Sequence, residues 1–411
     1  MFRTASGTRL WVYSQKKLAM GEEMGFEERA GMCALNRVFG FEPRTGMKLL
    51  ETFGSAVEVF RSSPKELTEA LGTSSKTRLV QMLAGSAFES AAIEIEGLEK
   101  MGCRFVCLGE HGYPALLTEC DDPPLGLYYK GTSVPEDVFG GRPAISIVGT
   151  RDITSYGREW CARIVEAMSR SNIRPLIVSG LALGVDGTAH KTCLETGLPT
   201  VAVMATGIDS IYPAHNKALG EMIAQTAGCA LVTDYPPGTE AIRINFLRRN
   251  RIIAGISRAT ILVESKIKGG GMMTARLAGS YGRDVYALPG RMDDPASQGC
   301  NLLVRENLAV PMGDLRDLMS ELGLGKPAVR TKEDFKECLV SFYKGNVQEP
   351  MLHDIVLLGS MVKANRGISM DELCCALGWP FSKVSQICTM LECDGFLDVD
   401  LLQHCSVFKR I

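Results

Sequence analysis

The apolar rhythm of the chain changes twice. Up to about residue 102 the apolar positions recur at helical spacing. Leu49, Leu50 and Phe53 fall at i, i+1 and i+4 after Pro43, and Val57 and Phe60 extend an apolar face beyond Gly54. Asp121, Asp122, Pro123 and Pro124 break that pattern, and Leu125–Tyr129 reads as a short strand before Gly131. From about residue 143, short β-rich runs alternate with amphipathic helices. The runs are Ala144–Val148, Pro175–Val178, Thr200–Met204, Ala230–Thr233, Thr260–Val263 and Asp284–Leu288. Between the first two, Cys161, Ile164, Val165 and Met168 stand at i, i+3, i+4 and i+7 of a helix. This punctuation predicts βαβ units, hence an α/β domain with a mainly parallel sheet covered on both faces.

Beyond about residue 322 the rhythm turns helical again. Gly323, Gly325, Pro327 and Pro350 mark 326–350 as a linker with room for one short helix. In 351–411, Ser369 and Glu372 form a capping-box pattern. Pro380 starts a helix in which Val384, Ile387, Cys388 and Leu391 share one face. Two strand-like runs, Phe396–Val399 and Cys405–Lys409, follow. Helices followed by a hairpin predict a small winged helix. The organisation expected is therefore a tail at 1–25, a helical region with its lead-in at 26–135, an α/β domain at 136–325, a linker at 326–350 and a winged helix at 351–411.

The 411 residues carry 45 Lys and Arg against 47 Asp and Glu, a formal net charge of −2. That total argues against a uniformly basic coat but hides local patches. The 14 cysteines include no CxxC, and the five histidines do not pair at metal-ligand spacing, so no zinc site or other cofactor is expected. With no apolar leader and no run of about 18 apolar residues, the thiols read as reduced cytoplasmic ones, with no membrane span.

Three candidate anion-binding turns follow strands of the α/β region, where open sheets bind ligands. Gly149-Thr150-Arg151 leads through Thr154, Tyr156 and Gly157 into a helix, and Arg151 offers a bidentate phosphate partner. Ser179-Gly180 opens a second turn that runs through Gly184 to His190 with GxxxGxxG spacing, a weak match to a dinucleotide fingerprint. Within it, Asp186 and His190 read either as an acid/base pair or, preferably, as a helix cap and a structural hydrogen-bonder. Gly269-Gly270-Gly271 opens a third helix through Thr274.

Charge gives these turns a context. Residues 241–283 hold nine basic side chains and one acid, Glu264. Phe246 immediately precedes Leu247-Arg248-Arg249-Asn250-Arg251, and Lys266 and Lys268 precede the third turn. Cations beside a stacking aromatic suit single-stranded nucleic acid. The chain shows no GxSxG, Walker A lysine or HExxH, which argues for binding over turnover.

Together these residues resemble the DNA-processing protein A (DprA, or Smf) family. The resemblance rests on Ile147–Arg151 with Tyr156-Gly157, Val178-Ser179-Gly180 through Asp186-Gly187, and Ala189-His190. It continues in Gly207, Tyr212-Pro213, Asn216, Asn245-Phe246, Arg249–Gly255, Glu264, Thr274–Arg276, Gly282-Arg283 and Pro289-Gly290. Upstream, Tyr113-Pro114, Leu117, Asp122–Pro124 and Leu127-Tyr128 fit its lead-in, so about residues 30–325 are covered. It implies an extended Rossmann-like central domain, a helical N-terminal domain similar to helix-hairpin-helix (SAM-like) modules and, in many members, a C-terminal winged helix. It further implies a non-enzymatic homodimer that binds and protects incoming single-stranded DNA and helps load the recombinase RecA in natural transformation (competence). The implied DNA pocket maps onto Gly149, Thr150, Arg151, Ser179, Gly180, Phe246, Arg249, Asn250 and Arg251. Arg248, Lys266, Gly270, Gly271 and Thr274 complete the candidate set.

The sequence departs from the family in three places. The third turn reads Gly-Gly-Gly-Met-Met-Thr where many members carry Ser-Gly-Ser-Leu, Leu247 replaces a usual proline, and Gly40–Arg44 keeps only part of a hairpin motif, with Glu42 placed to repel a phosphate. From residue 351 onward five bases face seven acids, so the winged helix is expected to contact protein rather than DNA. The competing expectation, a nucleotide-processing enzyme resembling phosphoribohydrolases, needs a PGGxGT-type loop. Here Pro289-Gly290 is followed by Arg291-Met292-Asp293.

Overall fold

The computed structural model describes residues 24–72, 81, 83, 86–325, 335–345, 347–365, 367–400 and 403–407, and the chain divides into two units after Pro327. The expected tail lies almost wholly outside the described residues.

In the first unit, helices Phe26–Phe39, Pro43–Phe53, Ala56–Arg61 and Pro64–Leu71 pack with helix Ala87–Lys100. Ser55 caps the third helix, and a Ser63–Glu66 capping box opens the fourth. The sheet has nine strands: β1 (Cys103–Cys107), β2 (Gly126–Lys130), β3 (Ala144–Val148), β4 (Leu176–Ser179), β5 (Thr200–Val203), β6 (Ala230–Thr233), β7 (Ala259–Leu262), β8 (Asp284–Ala287) and β9 (Val310–Pro311). Their order is β1-β2-β6-β5-β4-β3-β7-β8-β9. All neighbours from β6 to β9 run parallel, whereas β1 and β2 add an antiparallel extension. That extension departs from the expected division at residue 135. The helical lead-in contributes strands to the same sheet instead of standing apart.

Strands β3 to β7 are buried at every position because both faces of the sheet are covered there. Along β3, Ile145 and Ile147 join one core, with Cys161, Ile164, Val165 and Met168 of helix Ser155–Ser169. Ala144 and Val148 point to the opposite core, which includes the N-terminal helices, as the two-residue strand period requires. The chain winds outward from β3 through β4, β5 and β6, then crosses back to β7 on β3's other side. This reversal falls at the carboxyl ends of β3, β4 and β7, the place where open sheets of this kind form a binding crevice.

The second unit comprises helices Phe335–Tyr343, Glu349–Ala364, Met370–Leu377 and Phe381–Cys393, and strands β10 (Ile368–Ser369), β11 (Leu397–Val399) and β12 (His404–Val407) in the order β10-β12-β11. This is the layout of a winged helix. The Ser369–Glu372 capping box forms, and Val384, Ile387, Cys388 and Leu391 are buried together. Phe335, Leu339 and Tyr343 also enter this core. The segment from 335 is therefore part of the domain and not linker. Its apolar spacing was masked by flanking Gly and Pro.

Candidate nucleic-acid interface

The three turns expected from the sequence converge at the crevice because they are packed against one another. The Thr150 amide donates to the Glu264 carbonyl at 2.7 Å, tying the turn after β3 to the end of β7. The Glu264 side chain is fully buried and accepts from the Thr154 amide at 2.9 Å and its hydroxyl at 2.5 Å. One carboxylate thus holds the start of helix Ser155–Ser169. Gly157 is required beside it, since a Cβ there would lie 2.3 Å from that carboxyl. The second turn is drawn in by the Val185 amide, which donates to the Thr150 carbonyl at 3.1 Å. The third approaches so closely that a Cβ on Gly271 would lie 2.9 Å from the Gly149 Cα. Helix Gly270–Ser280 begins without a side-chain cap, so its first-turn N–H groups suit an anion.

The alternatives left open for Asp186 and His190 are settled by burial. Asp186 accepts from the Ala182 amide at 3.3 Å and so shapes the second turn from inside the first turn of helix Val185–Thr196, whose cap is Gly184 and not Asp186. Burial raises its pKa against the opposing pull of Arg249. His190 is paired separately, its Nδ1 lying 2.7 Å from the Thr200 hydroxyl. Burial, then Arg249, holds its pKa down at about 3, so it is neutral. Asn216 completes the frame by donating to the Leu181 and Ala182 carbonyls, each at 3.0 Å. No sequence spacing pointed to that bond.

The basic helix Arg243–Ile256 divides its cations in a way the sequence did not reveal. Arg249 turns inward and donates to the carbonyls of Gly180, at 2.6 Å, and Val203. Burial brings its pKa down to about 10. Arg251 is equally internal, pairing with Asp234 at 2.6 Å and donating to the Asp122 carbonyl. Burial disfavours its charge, but Asp234 and Asp122 outweigh that and hold its pKa above the usual value. Asn250 is buried as well. These three were expected in the pocket. Arg249 and Arg251 instead brace it from behind, because inward-facing positions of a helix pressed on a sheet must find partners for their charge.

What reaches the surface is Arg151, exposed, with its guanidinium 5.1 Å from the centre of the Phe246 ring. Phe246 is half-buried and packs edge-to-face on Tyr212 at 5.5 Å, and Tyr212 is itself 46% exposed. Gly149 and Thr150 are partly exposed beside them, and Lys266, Lys268 and Gly270 are exposed at the third turn. Ser179, Gly180, Gly271 and Thr274 lie within the framework. Ser179 donates to the Ile147 carbonyl at 2.6 Å. Arg248 projects elsewhere, over the Phe41 ring at 3.8 Å. In the sequence Tyr212 is marked only by its place in the Tyr212-Pro213 motif; its contact with Phe246 depends on tertiary packing.

Residues 104–323, more than half of the chain, match the family described as DNA recombination-mediator protein A. The chain belongs to this family. It is similar to protein Smf of Synechocystis, 34% identical over 73% of this chain and 74% of that protein. DNA processing protein DprA of Streptococcus pneumoniae is 37% identical over 47% of this chain and 66% of its own length. A solved structure of the Streptococcus pneumoniae DprA superposes with a TM-score of 0.61 at 27% identity, covering 73% of this chain and 99% of that one. The likeness extends to the mostly parallel Rossmann-like sheet. Among the described residues no helix is long and apolar enough to cross a membrane.

Proposed function

We propose that this protein binds single-stranded DNA non-enzymatically in the crevice and presents it, as a homodimer, to the RecA recombinase. The observation that carries the reading is the exposed Arg151 stacked on Phe246 where three anion-suited turns meet. Arg151, Lys266 and Lys268 supply charge, the N–H groups of the third turn position a phosphate, and Phe246 with Tyr212 offers stacking that tolerates any base. Membership of a family named for recombination supports the same reading.

The winged helix is assigned to protein contact. Lys383, near the start of its would-be recognition helix, pairs with Asp354 at 2.7 Å and sits 4.0 Å over the Trp379 ring, so its charge is already answered.

The test is Arg151→Ala in a gel-shift titration with oligo-dT. Single-strand affinity falls about tenfold and the salt slope drops by about 0.7. An unchanged affinity and slope would refute the site. Release of free base from nucleoside monophosphates would establish the enzymatic alternative instead.

A further inference from the structure

Phe41 and Arg248 form a second arginine–aromatic stack at the start of the same basic helix. Phe41 stands at the tip of the turn joining helices Phe26–Phe39 and Pro43–Phe53, and 55% of it is exposed. The turn is well held, since the Glu42 amide donates to the Phe39 carbonyl at 2.7 Å and Pro43 is buried. Burial in the core therefore does not explain the ring. The Arg248 guanidinium lies 3.8 Å over its centre and donates to the Phe41 carbonyl at 2.6 Å. The guanidinium is thus fixed against one face of the ring.

Phe246 and Arg248 are two positions apart, which places them about 200° apart around the helix. The Arg151–Phe246 pair therefore occupies one flank of the helix start and the Phe41–Arg248 pair the other. Ile244, four residues before Arg248 and so on its flank, is 46% exposed. An exposed ring, an apolar neighbour and a cation are the components of a base-stacking platform.

We infer that Phe41 and Arg248 form a second stacking station that carries a single strand out of the crevice onto the helical region. This deepens the single-strand reading and rests on it. Glu42 does not oppose the inference. Its carboxylate is engaged by the Thr45 hydroxyl at 3.1 Å, and the station needs a base face rather than a phosphate.

The test is fluorescence anisotropy on the full chain, with strands of about 6 and about 20 thymidines, the shorter near a single site size. Phe41→Ala removes an exposed ring, so the melting temperature should be unchanged. The expected result is about tenfold weaker binding of the longer strand, unchanged binding of the shorter, and recovery in Phe41→Trp. Unchanged affinity for both strands, with Arg151→Ala still weakening both, would overturn the station and leave the pocket standing. Equal weakening of both strands by Phe41→Ala would overturn its being a separate station. If Arg151→Ala spares both strands, the pocket reading falls and the station with it.

Discussion

Replacing Arg251 by methionine separates a bracing role from a DNA-contacting one. The side chain is 10% exposed, and it pairs with an Asp234 side chain that is 4% exposed. Arg251→Met strands that carboxylate and leaves the Asp122 carbonyl without its donor. Removing one partner of a buried pair costs about 3–5 kcal/mol, because a charge is left uncompensated away from water. Replacing both partners with apolar groups removes the stranded charge, so Arg251→Met/Asp234→Leu should regain most of that loss. The assay is urea unfolding followed by far-UV circular dichroism, paired with single-strand titration at several salt concentrations. The expected result is a large drop in unfolding midpoint for the single variant, recovery in the double, and a salt slope equal to the parent's in both. An unchanged midpoint with a slope lowered by about 0.7 would refute this reasoning, since Arg251 would then be facing a phosphate.

Three other perturbations probe the framework and the second unit. Glu264→Gln keeps the shape of the clamp but turns a donor toward Thr154, so it should destabilise the fold by about 1.5–3 kcal/mol in urea unfolding. His190 has a folded pKa of about 3 against an ordinary 6.5. Its contribution is intact above pH 6.5 and lost as pH falls below it, so about 2 kcal/mol should disappear between pH 7 and pH 5. His190→Gln should flatten that slope in unfolding curves at the two pH values. Deleting residues 328–411 should leave single-strand affinity within about twofold in a gel shift, since Lys383 is already paired; a tenfold loss would show that the winged helix reads DNA.

The alternation of strands and helices, the buried face of helix Ser155–Ser169 and the Ser369–Glu372 cap were legible because each is a local pattern. The antiparallel extension was half legible: Leu125–Tyr129 read as a strand, but Cys103–Cys107 did not, and pairing partners distant in sequence leave no local mark. The site was legible at the level of which turns meet, because glycine and a following helix mark each one. The division of the basic strip was not. Arg248, Arg249 and Arg251 look alike in sequence, and only their angles around the helix decide which meets Phe41, Gly180 or Asp234. Glu264 looked like a lone acid in a basic run; it is a buried clamp, which only the Thr154 contacts reveal.

The net charge of −2 conceals three exposed cations at one crevice, and the central claim is that they and Phe246 hold a single strand. The direct measurement is titration of the full chain with single- and double-stranded DNA of equal length at two salt concentrations. The expected result is a clear preference for the single strand and a log–log salt slope of about −2, from three phosphate contacts at about 0.7 each. Equal affinity for both forms, or affinity indifferent to salt, would contradict it.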